Sequence, residues 1–218
     1  MGGEATWEVV WNREERTLTL VGEPVAELVL SWPEIKGGGR GGKRIGRYYR
    51  RMMQTWKKRW ERELYWEACL DLVACRERSR PFRPWMAVLE GEVTLQRDGL
   101  LSLRMEAREY WTDGRPLRVS VGDVWRLPEG TPVELKELFP GQRLWRRTVL
   151  RTLAETAQTC RSTGDCFLDR DVSRKLGSLL KSGGYCLREG GVEFRFAQCL
   201  AAPAAEGCPR LIFPTKIL

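Results

Sequence analysis

The chain contains no histidine, and this absence narrows the chemistry that it can perform. Histidine is the side chain used most often as a general base and as a metal ligand near neutral pH. The cysteines include no Cys-x-x-Cys pair, so the usual zinc spacings are missing too. We therefore expect no metal, no cofactor and no catalytic residue. Enzyme activity stays open, with a non-enzymatic role favoured.

Long apolar runs are also missing. No run approaches the roughly 18 residues that suggest a transmembrane helix. The N-terminal sequence MGGEATWEVV lacks the basic and apolar regions of a secretory signal. The sequence as written predicts a cytoplasmic protein without a transmembrane segment, and an extracellular one if a leader has been removed.

The seven cysteines are Cys69, Cys75, Cys160, Cys166, Cys186, Cys199 and Cys208. An odd number without a secretory signal favours buried thiols in a reducing compartment, with one or two disulfides as the alternative. Cys69 and Cys75 lie six residues apart in a predicted helix, about 9 Å along its axis. A disulfide needs Cα atoms within about 7 Å, so this pair should stay unbonded. Cys186 and Cys199 are expected to be packed beside strands.

Positive charge is present in excess, but only in one place. The formal net charge is +8, and residues 40–62 hold ten Lys or Arg against the single acid Glu61. The remainder of the chain is therefore close to neutral. Hydrophobic residues make up 42% and charged residues 30%, a balance typical of globular proteins with a substantial core.

Residues 43–78 predict one long helix, since no Gly except Gly46 and no Pro interrupts them. One broad arc of this helix is apolar and should lie on a sheet: Ile45, Tyr48, Tyr49, Met52, Met53, Trp56, Trp60 and Leu64. The opposite, basic face should meet water: Lys43, Arg44, Arg47, Arg50, Arg51, Lys57, Lys58 and Arg62. This face is either simply solvated or contacts an acidic partner, such as an anionic envelope polymer. Nucleic acid is not expected, because the aromatic side chains lie on the buried side.

The glycine-rich segment 37–42 satisfies G-x-G-x-x-G and most of a phosphate-binding P-loop. A P-loop needs Ser or Thr where this chain has Arg44. A dinucleotide site needs a parallel βαβ unit, whereas the flanking segments predict hairpins and a helix. We therefore interpret residues 37–42 as a loop.

Alternating segments predict strands on both sides of the long helix. Residues 7–32 should form strands with a turn at 12–16 and a break at 22–24, and should end at Trp32-Pro33. The predicted antiparallel meander comprises residues 85–96, 100–111 and 117–126. Helices are predicted over residues 143–160 and 168–180. Asp165, Asp169 and Asp171 cluster around their junction, and we interpret Asp165 and Asp169 as helix caps. The fold class is α+β: an antiparallel β-sheet packed against one long amphipathic helix, with two further helices and a C-terminal hairpin.

The C-terminal stretch 185–214 carries the most informative order of motifs. A turn signal at residues 189–191 separates two runs with the period-two alternation of strands. Val192, Phe194 and Phe196 should share one face of the second run. A small-residue segment with a proline follows, and a short apolar strand closes the stretch.

This order resembles the C-terminal domain of unknown function found in the bacterial lysozyme receptor and anti-sigma factor RsiV, and beside some peptidoglycan deacetylase domains. The residues that carry the resemblance are Leu138, Phe139, Phe194, Phe196, Gln198, Ala202, Pro203, Gly207 and Pro214. It implies an RsiV-like α+β domain over residues 43–218, preceded by a hairpin region over 1–36. Relatives carry a Gly-Gly-Ala-His turn in the meander, whereas this chain has Tyr110-Trp111-Thr112-Asp113-Gly114. The function of that turn is therefore in doubt.

The resemblance implies a bacterial binding or sensing module without the anti-sigma part. Its loops would meet a lysozyme-like protein or a cell-wall glycan. The candidate partner-binding residues are Tyr110, Trp111, Asp113, Arg115, Gln198, Ala202 and Pro203. The segment with Ala202 and Pro203 could equally be a tight crossover between strands. The alternatives are an accessory or catalytic domain acting on peptidoglycan, and a cytoplasmic protein that binds an acidic partner through its basic helix.

Overall fold

The computed structural model describes residues 7–112, 114, 116–182 and 184–215, with the backbone alone at residue 182. Within these residues the chain has the α+β fold that the sequence predicts. The strands are β1 (Glu8–Leu20), β2 (Glu23–Lys36), β3 (Trp85–Arg97), β4 (Leu100–Tyr110), β5 (Pro116–Arg126), β6 (Thr131–Pro132), β7 (Tyr185–Arg188), β8 (Gly191–Arg195) and β9 (Arg210–Pro214). The helices are α1 (Gly39–Arg59), α2 (Tyr65–Glu77), α3 (Trp145–Thr163) and α4 (Val172–Ser182), with a π-helical turn at Trp60–Leu64 and 3-10 turns at Leu135–Leu138 and Ala204–Glu206.

The strands form two sheets. One has the order β1-β2-β3-β4-β5-β6, and the other has the order β7-β8-β9. The chain divides into two compact units: a first unit of Met1–Gly91 and Glu106–Leu117, and a second unit of Glu92–Met105 and Arg118–Leu218. Strands β3, β4 and β5 contribute residues to both units.

The first hairpin is longer and straighter than predicted. The turn predicted at residues 12–16 is wrong, because these residues pair continuously with residues 28–32 of β2. Strand β1 is an edge strand, so its polar side chains can face solvent without breaking the ladder. The actual turn is at Val21 and Gly22, whose φ values of 51° and 83° suit a tight hairpin connection.

Strand β2 also continues past the predicted end at Trp32-Pro33, as far as Lys36. Pro33 lies opposite Trp11 of β1. The ladder with β3 runs over Ala26–Leu30, so Pro33 is beyond it, where a missing N–H is tolerated.

The pairing of β2 with β3 is parallel, which departs from the antiparallel sheet expected. Ala26 lies opposite Trp85, and Leu30 lies opposite Leu89. Parallel neighbours need a long crossover connection. The segment from α1 through the π-helical turn to α2 connects β2 with β3, so the chain can return to the same end of the sheet.

The long helix is confirmed, and most of its apolar arc is buried. The prediction is wrong for Tyr48, which is 38% exposed because it lies at the edge of the arc. It runs from Gly39 to Glu77, starting four residues before the predicted position. The fully or largely buried side chains of this arc are Ile45, Tyr49, Met53, Trp60 and Leu64. The N–H of Gly42 donates to the carbonyl of Gly38 at 2.8 Å, so this part of the predicted loop is helical. A Cβ at Gly42 would lie only 3.1 Å from the carbonyl oxygen of Ile35, so glycine permits close packing of the helix start on β2.

One buried carboxylate is held by the π-helical turn of the first unit. The Glu109 side chain is 4% exposed, and the indole Nε1 of Trp60 donates to its Oε1 at 2.7 Å. Arg59 forms an ion pair with the same carboxylate. A buried charge needs such partners to offset its desolvation.

The core of the second unit is built around the C-terminal hairpin. Val192, Phe194 and Phe196 are at most 1% exposed, as the alternation predicts. The other face of β8 is also covered, because Glu193 is buried there. Its carboxylate accepts hydrogen bonds from Arg188 at 2.6 Å and Arg195 at 2.8 Å. Side chains of α3 and α4 complete this core: Val149, Leu153, Ala157, Val172, Leu176 and Leu179.

The cysteines follow the predictions in part. Cys69 and Cys75 are buried and unbonded, as helix geometry predicts, and Cys186 is buried as well. A disulfide joins Cys160 to Cys166, where the end of α3 and the following turn bring the Cα atoms to 5.7 Å. The sequence predicts that Cys199 is packed beside a strand. This prediction is wrong, because Cys199 is exposed in the connection between β8 and β9.

Candidate ligand-binding groove

A groove of the first unit lies between α2 and the end of β4, with a volume of about 690 Å³. The lining residues come from α2, from the segment that follows it, from the start of β3 and from the residues after β4. They are Glu67, Leu70, Asp71, Cys75, Arg80, Pro81, Trp85, Trp111 and Thr112. We call this surface the tryptophan groove.

Two stacked indole rings form one wall of the tryptophan groove. The ring centroids of Trp85 and Trp111 are 5.7 Å apart, with an angle of 26° between the planes. Trp85 is 7% exposed because it begins a central strand, whereas Trp111 follows the end of β4 and is 40% exposed. Trp85 therefore supports the ring of Trp111, which presents its remaining surface to solvent.

Asp71 lies at the centre of a hydrogen-bond network on the floor of the groove. Its carboxylate accepts from the indole Nε1 of Trp85 at 3.0 Å and from the Cys75 thiol at 3.7 Å. The same indole nitrogen is 3.2 Å from the hydroxyl oxygen of Thr112, which donates to the carbonyl of Arg83. The network fixes both the carboxylate and the indole ring in place.

This network keeps Asp71 ionised. Burial alone would raise the pKa of the Asp71 carboxyl group. Hydrogen bonds from Thr112, Trp85 and Cys75 outweigh that effect, and the charge of Arg80 adds to them, so the pKa lies below its ordinary value. The groove therefore presents a fixed negative charge at neutral pH.

The outer face of α2 extends the apolar surface next to the groove. Trp66, Leu70 and Val73 follow the i, i+4, i+7 spacing of one helix face, and they are 64%, 54% and 45% exposed. Leu70 also lines the groove. Exposed large apolar side chains that cluster in this way mark interaction surfaces. We call these three residues the outer apolar row.

Only part of the predicted partner-binding set falls in this groove. Trp111 lines it, and Tyr110 is half-buried at the end of β4. Asp113 and Arg115 lie outside the described residues. Sequence reasoning missed Asp71, Trp85 and the outer apolar row, although the spacing of Trp66, Leu70 and Val73 was visible.

The remaining predicted residues belong to the second unit. The side-chain oxygen of Gln198 accepts from the backbone N–H of Arg118 at 2.7 Å, and its amide nitrogen donates to the carbonyl of Ala204 at 3.0 Å. Ala202 is buried and Pro203 is exposed. Gln198 therefore holds the β8–β9 connection in place, and Pro203 offers a surface there.

The carboxylates near α4 are engaged in local contacts. Asp169 and Asp171 form ion pairs with Lys175 at 2.8 and 3.3 Å, and Asp165 accepts from the hydroxyl of Thr163 at 2.6 Å. In the part of the chain that the structure describes, no three His, Cys, Asp or Glu side chains are grouped as metal ligands would be. Burial raises the pKa of the Cys186 thiol to about 12, which keeps it protonated.

The basic face has the exposure that the sequence predicts. Six of its members on α1 are exposed and Lys57 is half-buried: the exposed ones are Lys43, Arg44, Arg47, Arg50, Arg51 and Lys58. Among the described helices, none is both long enough and apolar enough to cross a bilayer.

Comparison with known proteins supports the fold. No family model matches the sequence, and no curated protein does. The crystal structure of a DUF3298 family member from Bacteroides fragilis superposes with a TM-score of 0.64 at 12% identity, covering 96% of this chain and 90% of that one. A DUF3298 family protein from Pseudomonas aeruginosa gives a TM-score of 0.57 at 14% identity, covering 97% and 91%. Along nearly its whole length, the chain therefore shares its fold with structures of the DUF3298 family.

Proposed function

We propose that this protein is a binding module of the RsiV type, which holds a protein partner in the tryptophan groove of its first unit. The observation that carries the proposal is the half-exposed ring of Trp111, which is stacked on Trp85 beside the ionised Asp71. Aromatic side chains that are fixed in this way are frequent centres of binding energy at protein interfaces. The RsiV-type motifs and the shared fold with DUF3298 proteins are consistent with such a module.

The charges around the groove favour a partner with basic and apolar side chains. The charged residues that line the groove are two acids, Glu67 and Asp71, and one cation, Arg80. Glu63 and Glu77 lie on the same outer side of the helix as the outer apolar row. A partner arginine could stack on Trp111 and donate to Asp71 at the same time. The lysozyme-like partner that the RsiV resemblance implies is therefore the first probe.

A cell-wall glycan is a second candidate, and the exposed face of Trp111 favours it. Sugar rings present C–H groups to aromatic faces, while their hydroxyl groups need acceptors and donors nearby. Asp71 and Thr112 supply those groups next to the ring. The two candidates can be separated by titrating the same protein with two probes.

The test is isothermal titration of the full chain with lysozyme and, separately, with a soluble muropeptide. We expect binding of lysozyme, and we expect the Trp111→Ala variant to weaken it at least tenfold because the anchor ring is removed. Phe167→Ala is the matched control: Phe167 is 70% exposed and lies in the second unit, so its loss should leave binding unchanged.

If only the muropeptide binds, and Trp111→Ala abolishes that binding, the ligand of the groove is the glycan and not a protein. Equal binding by Trp111→Ala and Phe167→Ala would refute the groove as the site. Absence of binding to both probes would count against the RsiV-type function itself.

A further inference from the structure

A straight row of positive side chains follows the outward side of α1 and is separate from the tryptophan groove. Its members are spaced four, three, four and seven residues apart, so they share one line on the helix surface. They are Arg40, Arg44, Arg47, Arg51 and Lys58, and all five are exposed. We call them the cation row. The distance from the first to the last is about 27 Å along the helix axis.

The members of the cation row differ from Lys57 and Arg50 beside them, which lie close to acids of the strands. Lys57 pairs with Glu14 at 2.6 Å, and Arg50 lies 4.0 Å from Glu34. Within the part of the chain that is described, no member of the cation row forms an ion pair. Acids of β1 and β2 therefore neutralise cations on the side of the helix, whereas the cation row, which forms the outer ridge of the helix, keeps its charge.

This arrangement opposes the stability of the helix. Like charges three or four residues apart repel each other by a few tenths of a kcal/mol per pair. The first turn contains no acid, and Arg40 and Lys43 lie near the positive end of the helix dipole. A solvated surface helix usually mixes charges of both signs, whereas residues 39–60 contain no acid at all. An anionic partner would relieve the repulsion.

The geometry restricts the shape of that partner. Ile45, Tyr49 and Met53 are buried under the row, so the ridge is rigid and cannot insert an apolar face into a membrane. Glu14 and Glu34 neutralise Lys57 and Arg50 beside the ridge, so a flat anionic surface would gain no attraction from those two cations. A narrow chain lying along the ridge avoids both acids.

The same geometry argues against recognition of bases. Tyr49 and Trp60 are fully buried, and the half-buried ring of Trp56 is covered by the guanidinium of Arg59 at 5.4 Å. Tyr48 is 38% exposed, but a single ring cannot stack successive bases. Base stacking needs exposed aromatic faces. We propose that the cation row binds a linear phosphodiester polymer without bases, such as poly(glycerol phosphate), through its backbone phosphates alone.

The test compares the intact protein with an Arg44→Gln, Arg47→Gln, Arg51→Gln variant by fluorescence titration of labelled poly(glycerol phosphate). The apparent affinity should fall with salt at a slope of about −0.7 per phosphate contact. Five contacts predict a loss of about 100-fold between 50 and 200 mM salt, and the two left in the variant predict about sevenfold. The matched control is Arg146→Gln, Arg151→Gln, Arg161→Gln, which removes three exposed arginines that do not form a row on α3.

Two results would support the proposal. Poly(glycerol phosphate) should bind at least as tightly as oligothymidylate with the same number of phosphates. Only the α1 variant should show a weaker dependence of affinity on salt concentration. Tighter binding of oligothymidylate would overturn it in favour of nucleic acid. Binding to phosphatidylglycerol vesicles but not to the polymer would overturn it in favour of a membrane surface. If both triple variants lost the same amount of affinity, the row would act only through the net charge of the protein, and the proposal would be overturned.

Discussion

The two halves of the long helix have similar buried sides but opposite outer sides. In α1 the outer side is a row of cations that pair with no acid among the described residues, and in α2 it is the outer apolar row accompanied by acids. Packing on the sheet determines only the inner side of each half. The outer sides are free to differ, and their difference shows that one secondary-structure element can present two unrelated surfaces.

The change between the halves coincides with the π-helical turn at Trp60–Leu64. Trp60 is fully buried there and donates to the buried carboxylate of Glu109. We expect this turn to be the most sensitive point of the helix, whereas the outer sides should tolerate substitution. Five predictions test that contrast, from the largest expected effect on stability to the smallest.

The largest effect is expected for Trp60→Ala. The substitution leaves a cavity in the core and removes the indole donor of Glu109, so the first unit should lose about 3–5 kcal/mol of stability. Urea unfolding monitored by circular dichroism measures the loss. Trp66→Ala is the control on the outer side, and a loss as large as that of Trp60→Ala would refute the contrast.

The next effect is expected for Asp71→Ala, which removes the acceptor of Trp85 and Cys75. The Trp85 indole then keeps only its longer contact with Thr112, so the loss of stability should be about 1 kcal/mol. Thermal unfolding at neutral pH, compared with Asp71→Asn, measures this cost.

The pH dependence at Asp71 has a defined sign. Its pKa is lowered on folding, so its contribution is present above the ordinary value of 3.8 and is lost as the pH falls through the folded value. The stability difference between the wild type and Asp71→Asn should therefore shrink as the pH falls below 3.8. A difference that grows on acidification would contradict this assignment.

A smaller effect of opposite sign is expected for Arg40→Glu. The substitution places a negative charge in the first turn of α1 and removes one repulsion from the cation row, which should stabilise the protein by about 0.3–1 kcal/mol. The gain should decrease as salt is added. Arg161→Glu in the last turn of α3 is the control, since an acid at that end should destabilise its helix.

The smallest effect on stability is expected for Leu70→Ser. Leu70 is 54% exposed, so its replacement should change the free energy of unfolding by less than about 0.5 kcal/mol. Chemical unfolding measures it. A loss above about 1 kcal/mol would show that the outer apolar row is structural rather than available to a partner.

Local patterns were sufficient to predict the elements of the fold. The spacing of Ile45, Tyr49 and Met53 predicts the inner side of α1, and the alternation around Phe194 and Phe196 predicts the face of β8 that enters the core. These signals depend on neighbours within a few residues. The RsiV-type motifs and the order of elements agree with a fold shared with DUF3298 structures, while the RsiV-type assignment itself stays a prediction.

Features that depend on distant residues were not predictable from local patterns. Glu109 and Glu193 are buried beside cations from distant parts of the chain, Arg59 and Arg104 respectively. The network of the tryptophan groove joins Asp71 to Trp85 and Thr112 across 14 and 41 positions of sequence. The parallel pairing of β2 with β3 likewise follows from where the long helix delivers the chain. These contacts hold the candidate site together, so the site was less predictable than the fold.

The π-helical turn has one more consequence, which concerns the rotational phase of the helix. A π turn accommodates one residue more than an α turn, and one residue corresponds to about 100° around the axis. Winding Trp60–Leu64 as a regular α-helix, with the same residues, would therefore rotate everything that follows by about a quarter of a circle. Leu72 and Cys75 would leave the sheet, and the acids of α2 would turn toward it. The extra residue in the π-helical turn therefore determines which side of α2 packs on the sheet and which side is exposed to solvent.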